Sequence, residues 1–202
     1  MKFGFIGAGN VAQTISRHVL PFGHQVLLSN SRGPDTLDGL VRHLGDGAAA
    51  GSPQQAADQD VVVLGVMWWQ VQAALASISD WSGRVLIDAT NRVDRGPPLR
   101  IGDVSGRTSS EMVADHARGA RVVKAFNNVP MAWISDASPK KPRTVLFISG
   151  DDATAKAPLQ KVLEEVGFAC IDLGSLAIGG RLQQLGGPLA GVNLTLHERF
   201  TL

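Results

Sequence analysis

The sequence predicts an α/β protein built on a doubly wound, mostly parallel sheet. Short runs that are apolar throughout recur along the chain, and stretches with helical spacing separate them. Such runs are typical of parallel strands buried on both faces, and their alternation with helices is typical of βαβ units. The first run ends in a glycine turn that opens a helix. These observations predict a Rossmann-like single domain over residues 1–202, with 175–202 as a short C-terminal helical or tail segment.

The first half of the chain shows this alternation clearly. Val11, Ile15 and Val19 recur at helical spacing after the glycine turn, and Pro21-Phe22-Gly23 ends that helix. We expect a second helix to begin at Ser52-Pro53, since proline suits the first helical position. Strands are predicted over 26–28, 47–50, 61–66 and 84–88, and a further helix over 69–77.

The second half continues the pattern. We predict a helix over 109–117, strands over 121–126, 143–148 and 168–173, and a helix that starts at Asp151-Asp152 with acidic residues in its first turn. The segments 92–106 and 136–142 are rich in glycine, proline and charge and are predicted to be surface loops. The tail over 182–196 is expected to cover a partner subunit or the mouth of the site.

The glycine turn indicates a dinucleotide-phosphate site. In the motif Gly-x-Gly-x-x-Ala, Gly7 allows a tight turn, and Gly9 lets the backbone approach a pyrophosphate. Ala12 is small enough for the helix to pack closely on the strand. The N-terminus of the helix then offers N–H groups and a partial positive charge to phosphate.

The end of the second strand indicates which dinucleotide is bound. NAD-specific sites usually carry Asp or Glu about 20 residues after the glycines, on the ribose 2′-hydroxyl. Here the chain has Asn30, Ser31 and Arg32 instead. An amide and a hydroxyl followed by a guanidinium suit a 2′-phosphate, so we predict NADP(H).

Residues that follow the other strands are candidates for the rest of the site, because ligands of such sheets lie across the carboxyl ends of the strands. Trp68 and Trp69 form an aromatic pair here, of which we expect one in the core and the other beside a ring-binding pocket. The ligand candidates are Gly65, Val66, Met67, Asn91 and Asn127.

Composition excludes several classes of function. The chain has 19 Lys and Arg against 18 Asp and Glu, and no basic stripe is visible in the sequence. We therefore do not expect it to bind nucleic acid. No apolar stretch is long enough to span a membrane, and a strand that starts at once leaves no room for a signal peptide, which predicts a cytoplasmic protein. The histidines are not at metal-ligand spacing. The single cysteine, Cys170, is predicted to be a reduced core thiol.

The chain also lacks an obvious catalytic acid. It contains no tyrosine, which rules out a Tyr-x-x-x-Lys dehydrogenase mechanism. Reduction of a ketone usually needs a proton donor, whereas hydride exchange between a nicotinamide and a flavin-like ring mainly needs two stacked rings. The sequence therefore favours a flavin-like acceptor.

Four segments resemble the NADPH-dependent coenzyme F420 reductase family, whose namesake substrate is a deazaflavin. They cover 4–11, 28–34, 122–129 and 149–156, and include Asn30-Ser31-Arg32-Gly33-Pro34 and Lys124-Ala125-Phe126-Asn127. The resemblance implies that Gly9, Asn10 and Val11 bind the pyrophosphate and that Ser31 and Arg32 bind the 2′-phosphate. It also implies a homodimer, with a small-molecule redox substrate over the nicotinamide near Ala125 to Val129. F420 or a flavin is the expected second substrate.

Two alternatives remain open. The amino terminus also resembles pyrroline-5-carboxylate reductase, an imine reductase with a helical dimerisation domain that the region after Pro142 does not predict. A non-catalytic NADP(H) sensor would equally lack an acid or base.

Overall fold

The computed structural model describes residues 1–135 and 142–198, so most of the 136–142 segment lies outside the described residues. The described strands are β1 (Lys2–Ile6), β2 (Gln25–Ser29), β3 (Ala48–Ala50), β4 (Val61–Leu64), β5 (Val85–Asp88), β6 (Val93–Asp94), β7 (Arg100–Ile101), β8 (Arg121–Lys124), β9 (Arg143–Gly150), β10 (Ala169–Asp172) and β11 (Thr195–Leu196). The α-helices are α1 (Asn10–Val19), α2 (Asp38–Leu44), α3 (Pro53–Ala57), α4 (Val71–Ala76), α5 (Ser109–His116), α6 (Ala153–Glu165) and α7 (Gly179–Gln183).

The central sheet confirms the predicted mostly parallel α/β architecture. Its strand order is β3-β2-β1-β4-β5-β8-β9-β10. The strands from β3 to β8 in this order are all parallel, which is the arrangement of dinucleotide-binding sheets. The chain reverses its path between β1 and β4, so the crevice for a ligand opens at the carboxyl ends of these strands.

Helices cover both faces of the sheet because its buried strands carry apolar side chains on both sides. Val61 and Val63 belong to a core cluster that α1 and α6 complete, whereas Val62 and Leu64 belong to a second cluster with α3, α4 and α5. Gly4 lets α3 lie directly on β1, since a Cβ there would come within 1.8 Å of the Ala56 carbonyl oxygen.

The last part of the sheet reverses direction. Strand β9 runs antiparallel to β8 and shares only two residue pairs with it, Val123 with Gly150 and Lys124 with Ser149. Strand β10 then runs parallel to β9, and β11 from the tail runs antiparallel to β9. Consequently β9 to β11 form a wall beside the carboxyl edge of the parallel strands.

The structure corrects several predicted boundaries. The strands predicted to reach 66 and 126 end at Leu64 and Lys124, because the chain turns there toward the ligand edge. The helix predicted over 69–77 is a 3-10 turn over Trp68–Gln70 followed by α4. Asp152 caps α6 by accepting bonds from the N–H groups of Thr154 and Ala155, so the acidic group precedes the first turn instead of lying in it.

Two segments contain more structure than the sequence predicted. The predicted surface loop over 92–106 carries the β6–β7 hairpin, and the tail, predicted as a helical or tail segment, contains α7 and also the strand β11. Among residues 1–135 and 142–198, no helix has the length and hydropathy needed to cross a membrane.

Candidate active site

The glycine turn brings two loops of the carboxyl edge into contact. The Gly7 N–H donates to the Ser29 carbonyl at 3.0 Å, and Gly7 has a φ of 103°. A Cβ at Gly7 would lie 2.4 Å from the Gly65 carbonyl oxygen. Only glycine therefore fits this position, where the turn after β1 meets the turn after β4.

The N-terminus of α1 fits an anionic group. Gly9 is the N-cap residue, and no side chain caps the helix. A Cβ at Gly9 would meet no atom within 4 Å, so the space above the turn is open. The N–H groups of Asn10 and Val11, in the first turn, have no partner within the helix. Because these N–H groups and the helix dipole face open space, the residues present fit a pyrophosphate.

The loop after β2 holds an arginine that forms no ion pair with the described residues. The Asn30 side chain stabilises this loop, since its amide donates to Thr36 Oγ1 at 2.9 Å and its oxygen accepts from the Arg32 N–H at 2.8 Å. Ser31 and Arg32 are exposed. No carboxylate in the described part of the chain lies within ion-pair distance of the Arg32 guanidinium. The guanidinium is thus available to a phosphate.

An apolar loop follows β4. The Gly65 N–H donates to the Ile6 carbonyl at 2.9 Å, which places Val66 and Met67 beside the glycine turn. Trp68 packs partly against the core, and the Arg92 guanidinium lies 5.5 Å from the centre of its ring. Trp69 is 41% exposed, so neither tryptophan is fully buried.

The loops after β5 and β8 are linked by their asparagines. The Asn91 amide donates to the Asn127 carbonyl at 2.9 Å, and the Asn127 amide donates to Asn91 Oδ1 at 3.2 Å. Between Ala125 and Asn127, Phe126 has a φ of 60°, a left-handed conformation that side chains other than glycine rarely adopt. The structure thus brings Asn91 and Asn127, both candidates from the sequence, into contact with each other.

Gln183, which was not predicted from the sequence, completes this cluster from α7. Its side chain is fully buried. Its amide donates to Asn127 Oδ1 at 2.9 Å, and Ser149 Oγ donates to its oxygen at 3.2 Å. The Asn127 amide also donates to the Gln183 carbonyl at 2.9 Å, so both N–H donors of that amide are engaged within the protein. Among the described residues, each asparagine side chain therefore keeps one hydrogen-bonding position for a ligand: one N–H of Asn91 and one lone pair of Asn127 Oδ1.

A buried ion pair lies beneath the cluster and was also missed. Lys124 Nζ is 3.0 Å from Asp88 Oδ2, and both side chains are inaccessible to solvent. The ammonium also contacts the Thr90 carbonyl and Ser109 Oγ. The carboxylate accepts from the Thr90 N–H and hydroxyl at 2.9 and 2.6 Å and from Ser110 Oγ at 2.6 Å. The sequence signal was a charged residue at the carboxyl end of each strand, Asp88 in β5 and Lys124 in β8.

The polar groups of this pair are engaged within the protein. Burial lowers the pKa of the Lys124 ammonium, and the Asp88 carboxylate opposes that shift. All three N–H donors of Lys124 have partners within the protein, so the pair is a fixed ion pair, neutral overall, under the site. Within residues 1–135 and 142–198, no group of three or more His, Cys, Asp or Glu side chains could hold a metal ion.

The sequence and structure of this chain are similar to those of known proteins. Residues 2–92 match the family model described as NADP oxidoreductase, coenzyme F420-dependent. The F420-dependent NADP reductase of Methanothermobacter thermautotrophicus is 31% identical over 157 residues, which cover 74% of this chain and 66% of that protein. The solved structure of the hypothetical protein SMa0349 from Sinorhizobium meliloti has 34% identity and a TM-score of 0.89, and the match covers 96% of this chain and 95% of that one.

A group of longer proteins is also similar to this chain. Metalloreductase STEAP3 of Rattus norvegicus is 28% identical over 177 residues, or 87% of this chain and 34% of that protein. The chain thus spans about a third of the length of the curated metalloreductases it matches.

Proposed function

The chain belongs to the family of coenzyme F420-dependent NADP oxidoreductases, and we propose that it catalyses hydride transfer between NADP(H) and a flavin-like small molecule such as F420. One observation carries the proposal. At the carboxyl edge of the sheet, a helix N-terminus and the Arg32 guanidinium are open to a ligand, whereas the nearby acid and base, Asp88 and Lys124, are buried and paired. Such an edge can bind a dinucleotide and position two rings, and its buried pair presents no exposed proton donor to a ligand.

We assign the cofactor to residues along this edge. The backbone turn at Gly7 and Gly9 and the N–H groups of Asn10 and Val11 hold the pyrophosphate. Asn30, Ser31 and Arg32 surround the 2′-phosphate, with the guanidinium as its charge partner. The nicotinamide half lies against Gly65, Val66, Met67, Asn91, Ala125 and Asn127.

The residues near the nicotinamide orient the ring and exclude water. When bound, NADPH supplies a hydride from its nicotinamide ring. Asn91 is held by Asn127 and is oriented to hydrogen-bond the cofactor, and Met67 and Trp68 provide an apolar wall. The fixed pair beneath them keeps the strand ends rigid without contributing a proton.

Assembly and location are further parts of the proposal. The family resemblance implies a homodimer, and light scattering of the purified protein measures its mass directly. We also propose that residues 1–202 form one domain and that the protein is located in the cytoplasm.

Anaerobic oxidation of NADPH by the purified protein tests the proposed reaction. The acceptors are F420, FMN, FAD, a quinone and a ferric chelate, the last because of the similarity to metalloreductases. We expect turnover with NADPH and F420, or with one of the flavins, and much slower turnover with NADH because no group of the site replaces the contact of Arg32 with the 2′-phosphate.

The possible outcomes separate the alternatives. Turnover with the ferric chelate or the quinone alone would retain the oxidoreductase and reject the flavin-like acceptor. Selective NADPH binding without turnover on any acceptor would contradict the proposed reaction and favour the sensor.

A further inference from the structure

A cavity of about 360 Å³ lies next to the Asn91–Asn127 cluster, and its lining residues are different from those assigned to the cofactor. Its walls come from the β6–β7 hairpin, the start of α5, and the tail from α7 onward. The cavity reaches the cluster directly, since the Leu185 N–H donates to Asn91 Oδ1 at 3.3 Å. We call it the arginine cavity, after Arg92 and Arg181 in its lining.

The charge of the arginine cavity is positive. Arg92 and Arg181 are its charged lining residues, and no carboxylate of the described residues lines it. Arg181 is exposed, and its guanidinium donates to the Gly106 carbonyl at 2.5 Å. Because that partner is a neutral carbonyl, the charge of Arg181 is not compensated there. A guanidinium with free donors suits a carboxylate or a phosphate.

Arg92 is held in place as a part of the cavity wall. Its guanidinium pairs with Asp94, and its Nε is buried without a hydrogen-bond partner among the described residues. A Cβ at Gly102 would lie 2.6 Å from Arg92 Cζ, so the guanidinium lies flat against that glycine. Asp94 offsets part of its charge, which leaves Arg181 as the principal cation of the cavity.

The remaining lining is suited to an organic molecule. Ile101, Leu185 and Pro188 contribute apolar surface, and Ser109 contributes a hydroxyl. An apolar wall with one uncompensated cation favours a ligand that has both an organic body and an anionic group. A free anion would gain nothing from the apolar part.

We propose that the arginine cavity binds the anionic group of the hydride acceptor, a phosphate or a carboxylate, with Arg181 as the direct contact and Arg92 as the wall. This rests on the proposed function, because it assumes that the acceptor ring lies near Asn91. The second substrate is therefore an anionic redox molecule and not a neutral one. Arg181 determines specificity and takes no part in the transfer itself.

FMN and riboflavin provide a matched test, because they share one ring system and differ by a phosphate. The full chain, saturated with NADP+, is titrated with each flavin, and quenching of flavin fluorescence gives the dissociation constants. We expect FMN to bind about tenfold more tightly than riboflavin, as one charge-assisted contact allows. In Arg181→Gln, FMN affinity should fall by about tenfold and riboflavin affinity should not change.

Arg118→Gln is the matched control, since Arg118 is exposed, lies outside the cavity lining and carries the same charge. Its flavin affinities should equal those of the parent protein. Inorganic phosphate should compete with FMN and leave riboflavin binding unchanged, which shows that the cavity recognises the phosphate itself.

Several results would overturn the inference. One is equal affinity for FMN and riboflavin, and another is failure of FMN to bind. The others are equal competition by phosphate against FMN and riboflavin, or an equal loss of FMN affinity in Arg181→Gln and Arg118→Gln. The proposed function fails separately: Arg181-dependent FMN binding without NADPH oxidation on any acceptor would leave the anion site and reject the reaction. NADPH oxidation with equal KM for the two flavins would keep the proposed reaction and reject the anion site.

Discussion

Replacing Lys124 with methionine is expected to lower the free energy of unfolding by about 3–5 kcal/mol. The substitution leaves the Asp88 carboxylate in a site without solvent and without a counter-charge. Urea unfolding followed by circular dichroism measures the loss. Because the carboxylate still accepts bonds from Thr90 and Ser110, the fold should persist and the midpoint should move to lower urea.

The double variant Lys124→Met with Asp88→Asn is the matched control. It removes the unpaired charge and keeps a side chain of similar shape, so it should recover a substantial part of the stability lost in the single variant. A single variant as stable as the parent protein would show that the buried pair contributes nothing, and a double variant less stable than the single one would contradict the proposed cause.

Replacing Arg32 with alanine is expected to weaken NADPH binding by about 1.5–3 kcal/mol, or about 10- to 150-fold, and to leave NADH binding unchanged. The two cofactors differ only in the 2′-phosphate that we assign to this guanidinium. Titration of the cofactors by nucleotide fluorescence gives both dissociation constants. The NADPH affinity of Arg32→Lys should lie between those of the parent protein and Arg32→Ala, since an ammonium keeps the charge and loses the bidentate geometry.

Arg42→Ala separates this contact from the general charge of the surface. Arg42 is an exposed residue of α2, and its loss changes the net charge by the same amount. It should leave both affinities unchanged. Equal losses for NADPH and NADH in Arg32→Ala, or no loss, would contradict the assignment of the 2′-phosphate.

The parallel part of the fold was predictable because its signals are local. Apolar runs such as 61–64 mark buried strands, and Gly7 and Gly9 mark the turn into α1. The capping pair Ser52-Pro53 correctly located the start of α3, where Ser52 Oγ accepts from the Gln55 N–H at 3.2 Å. These features depend on residues close together in sequence.

The parts that were missed depend on contacts between distant residues. The apolar run of β9 does not reveal its direction, so the reversal against β8 was not predicted. Gln183 is one of two adjacent glutamines in the tail, and only its contacts with Asn127 and Ser149 distinguish it from Gln184. The pair of Lys124 and Asp88 exists because β5 and β8 are neighbours in register, which no local pattern encodes.

The narrow junction between β8 and β9 has a consequence for how the molecule opens. Within the sheet, two residue pairs join β9 to β8, whereas β9 and β10 share four. We therefore expect amide hydrogen exchange to show two cooperative units, with residues 145–148 less protected than 61–64. Bound NADP(H) should slow exchange in the parallel unit and leave the reversed unit almost unchanged. Uniform protection across both would show that the junction is as strong as the rest of the sheet.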